Sequence, residues 1–482
     1  MSKKPSNVLV IMSDQHARSV MGAYGNTIVK TPTLDALANN GTRFTRAYTP
    51  SPICVSARAS FATGKHVHEH ECWSSAEPYY GQSQSWMKWL RDRGHLITSV
   101  GKLHYRSADD DMGFSEEILP MYLANEGKGW PQGLLRNPLP DYPDAAELAN
   151  DVGPGETEYT RYDRAITQAT IDWLKQQKQN DHEKPWVCFT SFISPHYPLS
   201  APQEFYDLYK DVDVPRPHSP QSSLDNKHPV IQAMSDFWNY DEHFESNVHR
   251  QEAIKNYYGL CSFVDDNVKQ VLAALKASGQ AEDTLIIYTS DHGDLLGNHG
   301  LWCKSFMYED SVAIPLILSG NETSVGVNNT PVSLIDLAKT IAQEASGEVI
   351  SDEIGSSHSI VLQNLLDAEQ LDRLVLSEYH DGGSPTGFFM LCYKQWKYVY
   401  YAGVYPPQIF DIEADPQEVN DLAKQRKHAD LRNTLHEKLI GMIDPEAVNA
   451  QAFLSQKALS EQYGGREGIK KMTSFNHTPA PS

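Results

Sequence analysis

Long apolar runs are scarce in this chain, and the first, Val8 to Met12, is five residues long before a polar turn. That is too short for a signal-peptide core or a bilayer span, and no later segment is long enough to span one. Cysteine is scarce too: six residues, at 54, 72, 188, 261, 303 and 392, with no CxxC pair. This pattern offers neither a zinc ribbon nor a disulfide framework, and it points to a reduced, cytoplasmic setting. Cations are outnumbered: Lys+Arg 41 against Asp+Glu 62 gives a formal net charge of −21. Such a field repels phosphate backbones and anionic membranes, so neither nucleic acid nor membrane is expected as a partner. A small anionic substrate is admissible only where clustered cations or a metal override that field locally.

What is present is the material of a folded globular protein. The chain has 482 residues, 40% hydrophobic and 21% charged, enough to bury a large core without staples. Short apolar runs ending in polar or Gly-rich turns recur: "NVLVIMSD" (7–14), "WVCFTSFISPH" (186–196), "DTLIIYTSDHGD" (283–294) and "VAIPLILSG" (312–320). Continuous runs suit strands buried on both faces. Helical patterns lie between them, at 164–176, 263–275 with Gly279 placed as a stop, and 332–343. Alternation of this kind predicts an α/β fold, a large, mainly parallel sheet sandwiched by helices. From about residue 372 the texture changes: "GFFMLCYKQWKYVYYAG" (387–403) is aromatic and partly alternating, 406–423 reads as strand, turn and helix start, and 428–443 reads as helix. The expected organisation is a catalytic domain over 1–371, a small antiparallel sheet with a helix over 372–443, and a tail or oligomer arm over 444–482. The arm suggests a homo-oligomer. Residues 107–160, rich in Asp, Gly and Pro, read as a long insertion facing the substrate. No internal repeats are evident.

Ligands of doubly wound sheets bind at the carboxyl ends of strands, so the polar residues just past each run carry weight. They are Asp14 and Gln15, His196, and Asp291 with His292. Singly, each has a plain alternative. An aspartate after a strand is more often a helix cap than a ligand, and His196 in "SPHYP" suits a loop. "SDHGD" says more, because an adjacent carboxylate and imidazole can meet one metal. Lys102 and His104 in "GKLHY", Lys304 after "GNHGLWC", and Arg58 in "SPICVSARAS" complete the set; lysines are ordinarily solvated. Together, carboxylates, histidines and cations near strand ends suit a tetrahedral oxyanion held at a divalent metal, with a leaving group to protonate.

These stretches resemble a family. "CVSAR" (54–58) is similar to the C-x-P/A-x-R signature of type I sulfatases in the alkaline phosphatase superfamily. "NVLVIMSDQ" resembles their first metal-binding strand, "GKLHY" their G-K-x-H segment, "SPHYP" their histidine loop, and "TSDHGDLLGNHGLWCK" their second metal motif with its lysine. "FDIEADPQEVNDLA" resembles a common ending, and the order spans roughly residues 7 to 423. The resemblance implies that Cys54 is oxidised by a formylglycine-generating enzyme to formylglycine, whose hydrate attacks sulfur with one hydroxyl and expels sulfate with the other. It further implies that Asp14, Asp291 and His292 bind a divalent metal with the formylglycine oxygen. Arg58 and Lys102 would steady the nucleophile, His104 assist sulfate release, and His196 and Lys304 hold the transferring group and help the leaving oxygen depart. The metal is expected to be Ca2+, with Mn2+ and Mg2+ as alternatives.

The chain also departs from the family. Gln15 stands where many members have a second aspartate, which sets it apart as a ligand, and Ser56 stands where Pro or Ala is usual. Asp291-His292 is more like the branch with choline sulfatases and phosphonate monoester hydrolases. The activity expected is hydrolysis of a small soluble sulfate ester, an arylsulfatase-like reaction. The alternatives are a phosphonate monoester or phosphodiester hydrolase at the same site and a non-catalytic anion-binding protein with unmodified Cys54. Trp73, Glu77, Tyr79 and Tyr80 in "CWSSAEPYYG", together with Tyr105, are candidates for lining the substrate pocket; ordinary core packing is the alternative.

Overall fold

In a computed structural model, which describes residues 4–179, 183–218, 227–320, 323–350, 352–366, 368–472 and 477–481, the apolar runs become strands. In chain order these are β1 (Asn7–Asp14), β2 (Gly41–Phe44), β3 (Ala47–Tyr48), β4 (Ile97–Lys102), β5 (Glu116–Met121), β6 (Val187–Pro195) and β7 (Thr284–Ser290). They continue with β8 (Leu316–Ser319), β9 (Gly326–Asn328), β10 (Val332–Ser333), β11 (Val375–Tyr379), β12 (Phe388–Tyr393), β13 (Trp396–Tyr401) and β14 (Gln408–Asp411). Eight form one sheet in the order β5-β4-β6-β1-β7-β8-β2-β9. All neighbours pair in parallel except β8, which runs antiparallel to both β7 and β2.

β1 shows why this sheet must be covered on both sides. Val8, Val10 and Met12 belong to one apolar cluster while Leu9 and Ile11 belong to another, the two-residue alternation of a strand with no polar face. The helices Glu158–Gln177 and Asn247–Ser278 cover one side, and Asp336–Ser346 and Cys54–Thr63 the other. Gly279 ends the long helix in a left-handed conformation (φ 79°), as the sequence predicts.

The C-terminal part is a four-stranded antiparallel sheet, β11-β12-β13-β14, with the helix Ala429–Ile440 packed beside it. Three readings need correction. Residues 412–423 form turns and irregular chain rather than a helix start. The segment 107–160 is not wholly an insertion, since it supplies β5, the edge strand next to β4. The tail expected over 444–482 contains the helix Pro445–Gln462, packed on this sheet through Val448 and Ala452. Farther on, Ile469 is wholly buried and Ala480 packs against the cluster holding Leu9 and Ile11; residues 473–476 and 482 lie outside the described residues. Among the described residues no helix is long and apolar enough to cross a membrane.

Candidate active site

The carboxyl ends of β1, β4, β6 and β7 lie at one edge of the sheet, and each delivers a polar residue there. Asp14 ends β1, Lys102 ends β4, His196 follows β6, and Asp291 and His292 follow β7. Cys54 arrives as the first residue of the helix Cys54–Thr63. Ile53 before it is extended, and Gly64, left-handed at φ 67°, closes the helix by donating to the Ser60 carbonyl. All ten residues of this helix are buried.

One ligand atom from each of Asp14, Cys54, Asp291 and His292 lies within 4.8 Å of the others. The two carboxylates divide their oxygens in the same way. Asp14 Oδ2 takes Lys102 Nζ at 2.6 Å and Arg58 Nη2 at 3.3 Å, while its Oδ1 faces the Cys54 sulfur at 3.7 Å. Asp291 Oδ2 accepts from Arg58 Nε at 2.8 Å, and its Oδ1 lies 3.7 Å from His292 Nε2. The remaining Arg58 donor reaches the Lys102 carbonyl and Ser191 Oγ, both at 2.9 Å. His292 Nδ1 donates to the Gly293 carbonyl at 3.0 Å, which turns Nε2 towards Cys54 Sγ at 3.2 Å. An outer bond of this kind fixes the tautomer that a metal ligand needs. The donors fit a divalent cation: two carboxylate oxygens and one imidazole are suitable, and an oxygen in place of the Cys54 sulfur makes the set one for Ca2+, Mg2+ or Mn2+.

Electrostatics converge on Cys54. Burial and the Asp14 charge push its thiol up, but Lys304, Lys102 and His292 outweigh them and bring it below its ordinary value. Lys304 Nζ is 3.0 Å from the sulfur. Burial likewise raises Asp14, yet Lys102, His196, Lys304 and Arg58 hold it well below the usual carboxylate range. Burial, then Lys102 and Arg58, lowers His104; burial and Lys304 lower His196. Both imidazoles are therefore neutral near pH 7 and able to take up a proton. His104 is buried, and among the described residues neither ring nitrogen has a partner, an arrangement that calls for a polar group beside it.

Gln15 does not join the ligand cluster. Its Nε2 donates to Asp294 at 2.5 Å and its Oε1 accepts from Lys304 at 3.0 Å, so it orients the lysine.

Above the cluster opens a cleft of about 130 Å3 that reaches Cys54, Lys102, His104, His196 and Lys304. Its outer wall is aromatic, with Trp130, Tyr142, Trp238 and Tyr240, and it takes Asp381, His477 and Thr478 from beyond residue 371. Trp73, Glu77 and Tyr105 lie outside it, and the reason is side-chain direction. Trp73 points into the apolar cluster under the C-terminal sheet, edge-on to His380. Tyr105 packs with Tyr79 in the main core. Tyr80 is exposed under the Arg106 guanidinium. Glu77 accepts from Ser74 at 2.7 Å and from Ser455 at 2.9 Å, clamping the helix Pro445–Gln462 in place. The aromatic wall comes from two pairs 96 positions apart: Trp130 and Tyr142 lie within the segment 107–160 read as facing the substrate, whereas Trp238 and Tyr240 were missed, their one signal being the Trp-Asn-Tyr cluster at 238–240.

Burial raises the Glu77 carboxyl to about 7 despite its hydroxyl and amide donors. The folded state thus holds a proton that the unfolded chain releases above about pH 4.5. Its stabilising contribution is full below that pH and is lost as pH rises through 7. Glu77→Gln should remove this slope. Thermal melts at pH 5 and pH 8 should show the parent losing up to roughly 3 kcal/mol more than the variant between them; equal losses would refute it.

The description "Sulfatase" matches residues 6–347, and "N-sulphoglucosamine sulphohydrolase, C-terminal" matches 297–444. A choline-sulfatase from Rhizobium meliloti (strain 1021) is 31% identical over 436 residues, covering 87% of this chain and 82% of that protein. Arylsulfatase K of Danio rerio is 28% identical over 497 residues, covering 95% and 89%. Among solved structures, a phosphonate monoester hydrolase of Agrobacterium radiobacter superposes with a TM-score of 0.72 at 22% identity, over 93% of this chain and 96% of its own.

Proposed function

The chain belongs to the sulfatase family, within the type I, alkaline phosphatase superfamily branch, and from that membership we propose that it releases inorganic sulfate from the ester of a small alcohol. The observation that carries this is the ring of Asp14, Cys54, Asp291 and His292 at the foot of a cleft whose deep end holds Lys102 and Lys304, with Arg58 buried behind the two carboxylates. Three cations and a divalent ion there offset the global charge of −21 and hold an anion.

In this reading Asp14, Asp291 and His292 hold the cation, and Cys54 is the precursor of formylglycine, whose hydrate supplies an oxygen nucleophile. Arg58 keeps both carboxylates aimed inward. Lys102, 2.6 Å from Asp14, and Lys304, 3.0 Å from the Cys54 side chain, place positive charge where the nucleophile and sulfuryl oxygens gather. Neutral His104 takes up the proton during sulfate release, and His196, bonded through Nδ1 to the Tyr197 carbonyl at 2.8 Å, presents Nε2 to the leaving oxygen. The aromatic wall suits an alcohol that is apolar or carries a quaternary ammonium, since ring faces attract such cations. The choline-sulfatase relative is consistent with that choice.

Two measurements test the reading. Dialysis against a chelator should abolish aryl sulfate hydrolysis, and Ca2+ should restore it better than Mg2+; activity that survives chelation removes the metal from the scheme. Rates for an aryl sulfate should exceed those for an aryl phosphonate monoester. The reverse ratio selects the phosphonate or phosphodiester alternative, for which a monoanionic diester would occupy the same cations.

A further inference from the structure

His196 sits in a clamp that closes on it from the chain's last residues. The helix Glu158–Gln177 presents Tyr159 and Asp163, one turn apart and both buried, towards the end of β6. Asp163 takes the Ile193 amide on one carboxylate oxygen and the Ser194 amide on the other, both at 2.8 Å. This fixes the backbone two and three residues ahead of His196. Tyr159 lies edge-on to the His196 ring, with centroids 6.0 Å apart at 69°. Its hydroxyl donates to the Thr478 carbonyl at 2.6 Å, so it is committed there and is not a donor to substrate. His477 packs edge-on to Tyr159 at 5.1 Å and to Tyr197 at 6.2 Å, and its Nε2 lies 3.2 Å from Glu158 Oε1. Thr478 is buried, and both residues line the cleft.

We propose that His477 and Thr478, acting through Tyr159, are positioning residues for His196, with Asp163 fixing the backbone that carries it. The geometry that motivates this is the chain of contacts Glu158–His477–Tyr159–His196, which ties the orientation of one imidazole to a segment 319 residues away in sequence from Tyr159. A substrate anion bound by Lys102 and Lys304 favours the charged form of the neighbouring imidazole, which takes its proton from solvent on Nε2; a misaligned His196 would still leave the anion bound but would fail to pass that proton to a poor leaving group. The inference rests on the reading that His196 meets the leaving oxygen.

The test uses full-length, metal-loaded enzyme whose residue 54 has been checked by mass spectrometry, with two substrates: 4-nitrophenyl sulfate, whose leaving group needs little protonation, and a simple alkyl sulfate, whose leaving group needs much. Tyr159→Phe and His477→Ala should each lower kcat for the alkyl ester by about 10-fold or more. KM should be nearly unchanged, and 4-nitrophenyl sulfate should stay within about 3-fold. His196→Asn is the reference and should shift the same ratio further. If it leaves the ratio unmoved, the role of His196 is wrong. If it moves the ratio while Tyr159→Phe and His477→Ala do not, or if those two depress both substrates equally along with the melting temperature, the positioning role is overturned and that of His196 stands.

Discussion

Replacing Cys54 with alanine is expected to lower kcat/KM for sulfate ester hydrolysis by roughly 10^4-fold or more, with little change in thermal stability. The side chain is small, and the helix it begins is held by its own residues 55–63, all buried. The exchange therefore removes the reacting atom without opening a large cavity. Serine is the sharper variant. Its single hydroxyl can attack sulfur and expel the alcohol, but it has no second hydroxyl with which to eliminate sulfate. Cys54→Ser protein should therefore release about one equivalent of alcohol and then stop. Its residue-54 peptide should carry a sulfate group, visible by mass spectrometry. Steady turnover by the serine variant, or by parent protein whose residue 54 is an intact thiol in its own host, would refute the formylglycine scheme.

Arg58→Ala should be the most destabilising single change near the site. The guanidinium is 1% exposed and bonds both Asp14 and Asp291, the Lys102 carbonyl and Ser191. Removing it leaves two buried carboxylates short of a partner, for which about 3–5 kcal/mol is expected in urea denaturation. Lys102 still neutralises Asp14, so most of the loss falls on Asp291. Arg58→Lys retains the charge but is a single point that cannot reach four partners in a planar fork; it should recover part of the stability and little of the activity. Added Ca2+ should raise the melting temperature of Arg58→Ala less than that of the parent. A midpoint within about 0.5 kcal/mol of the parent, the ordinary scatter of surface changes, would mean the pair contributes nothing.

The chemistry was legible because it sits at the ends of runs that are legible. β1, β6 and β7 are buried throughout, so Asp14, His196 and Asp291 stood out as the first carboxylate or imidazole after each mostly apolar run. Direction was not legible: β8 is as apolar as β7, and nothing in "LILS" says that it runs the other way. The helix Pro445–Gln462 was hidden for a related reason. Its buried residues are Pro445, Val448, Ala452 and Gln456, a stripe one residue wide that includes an amide, too thin to register as an amphipathic period. The pocket residues near Cys54 in sequence were the least successful reading. Nearness along the chain placed Trp73, Glu77 and Tyr105 at the cleft, while their side chains turn away from it into the core and the C-terminal helix.

Ser56 donates a hydrogen bond to the Cys72 carbonyl at 2.6 Å and is wholly buried; with it, every residue from 51 to 60 is buried, and Ile53, Cys54 and Val55 meet solvent only through the cleft. If Cys54 is converted to formylglycine as proposed, a modifying enzyme would meet the stretch in the open only before it packs as a helix at the carboxyl end of the sheet. Maturation would then have to precede folding, and refolding of thiol protein in the presence of such an enzyme should yield more residue-54 aldehyde, read by mass spectrometry, than adding the enzyme to folded protein.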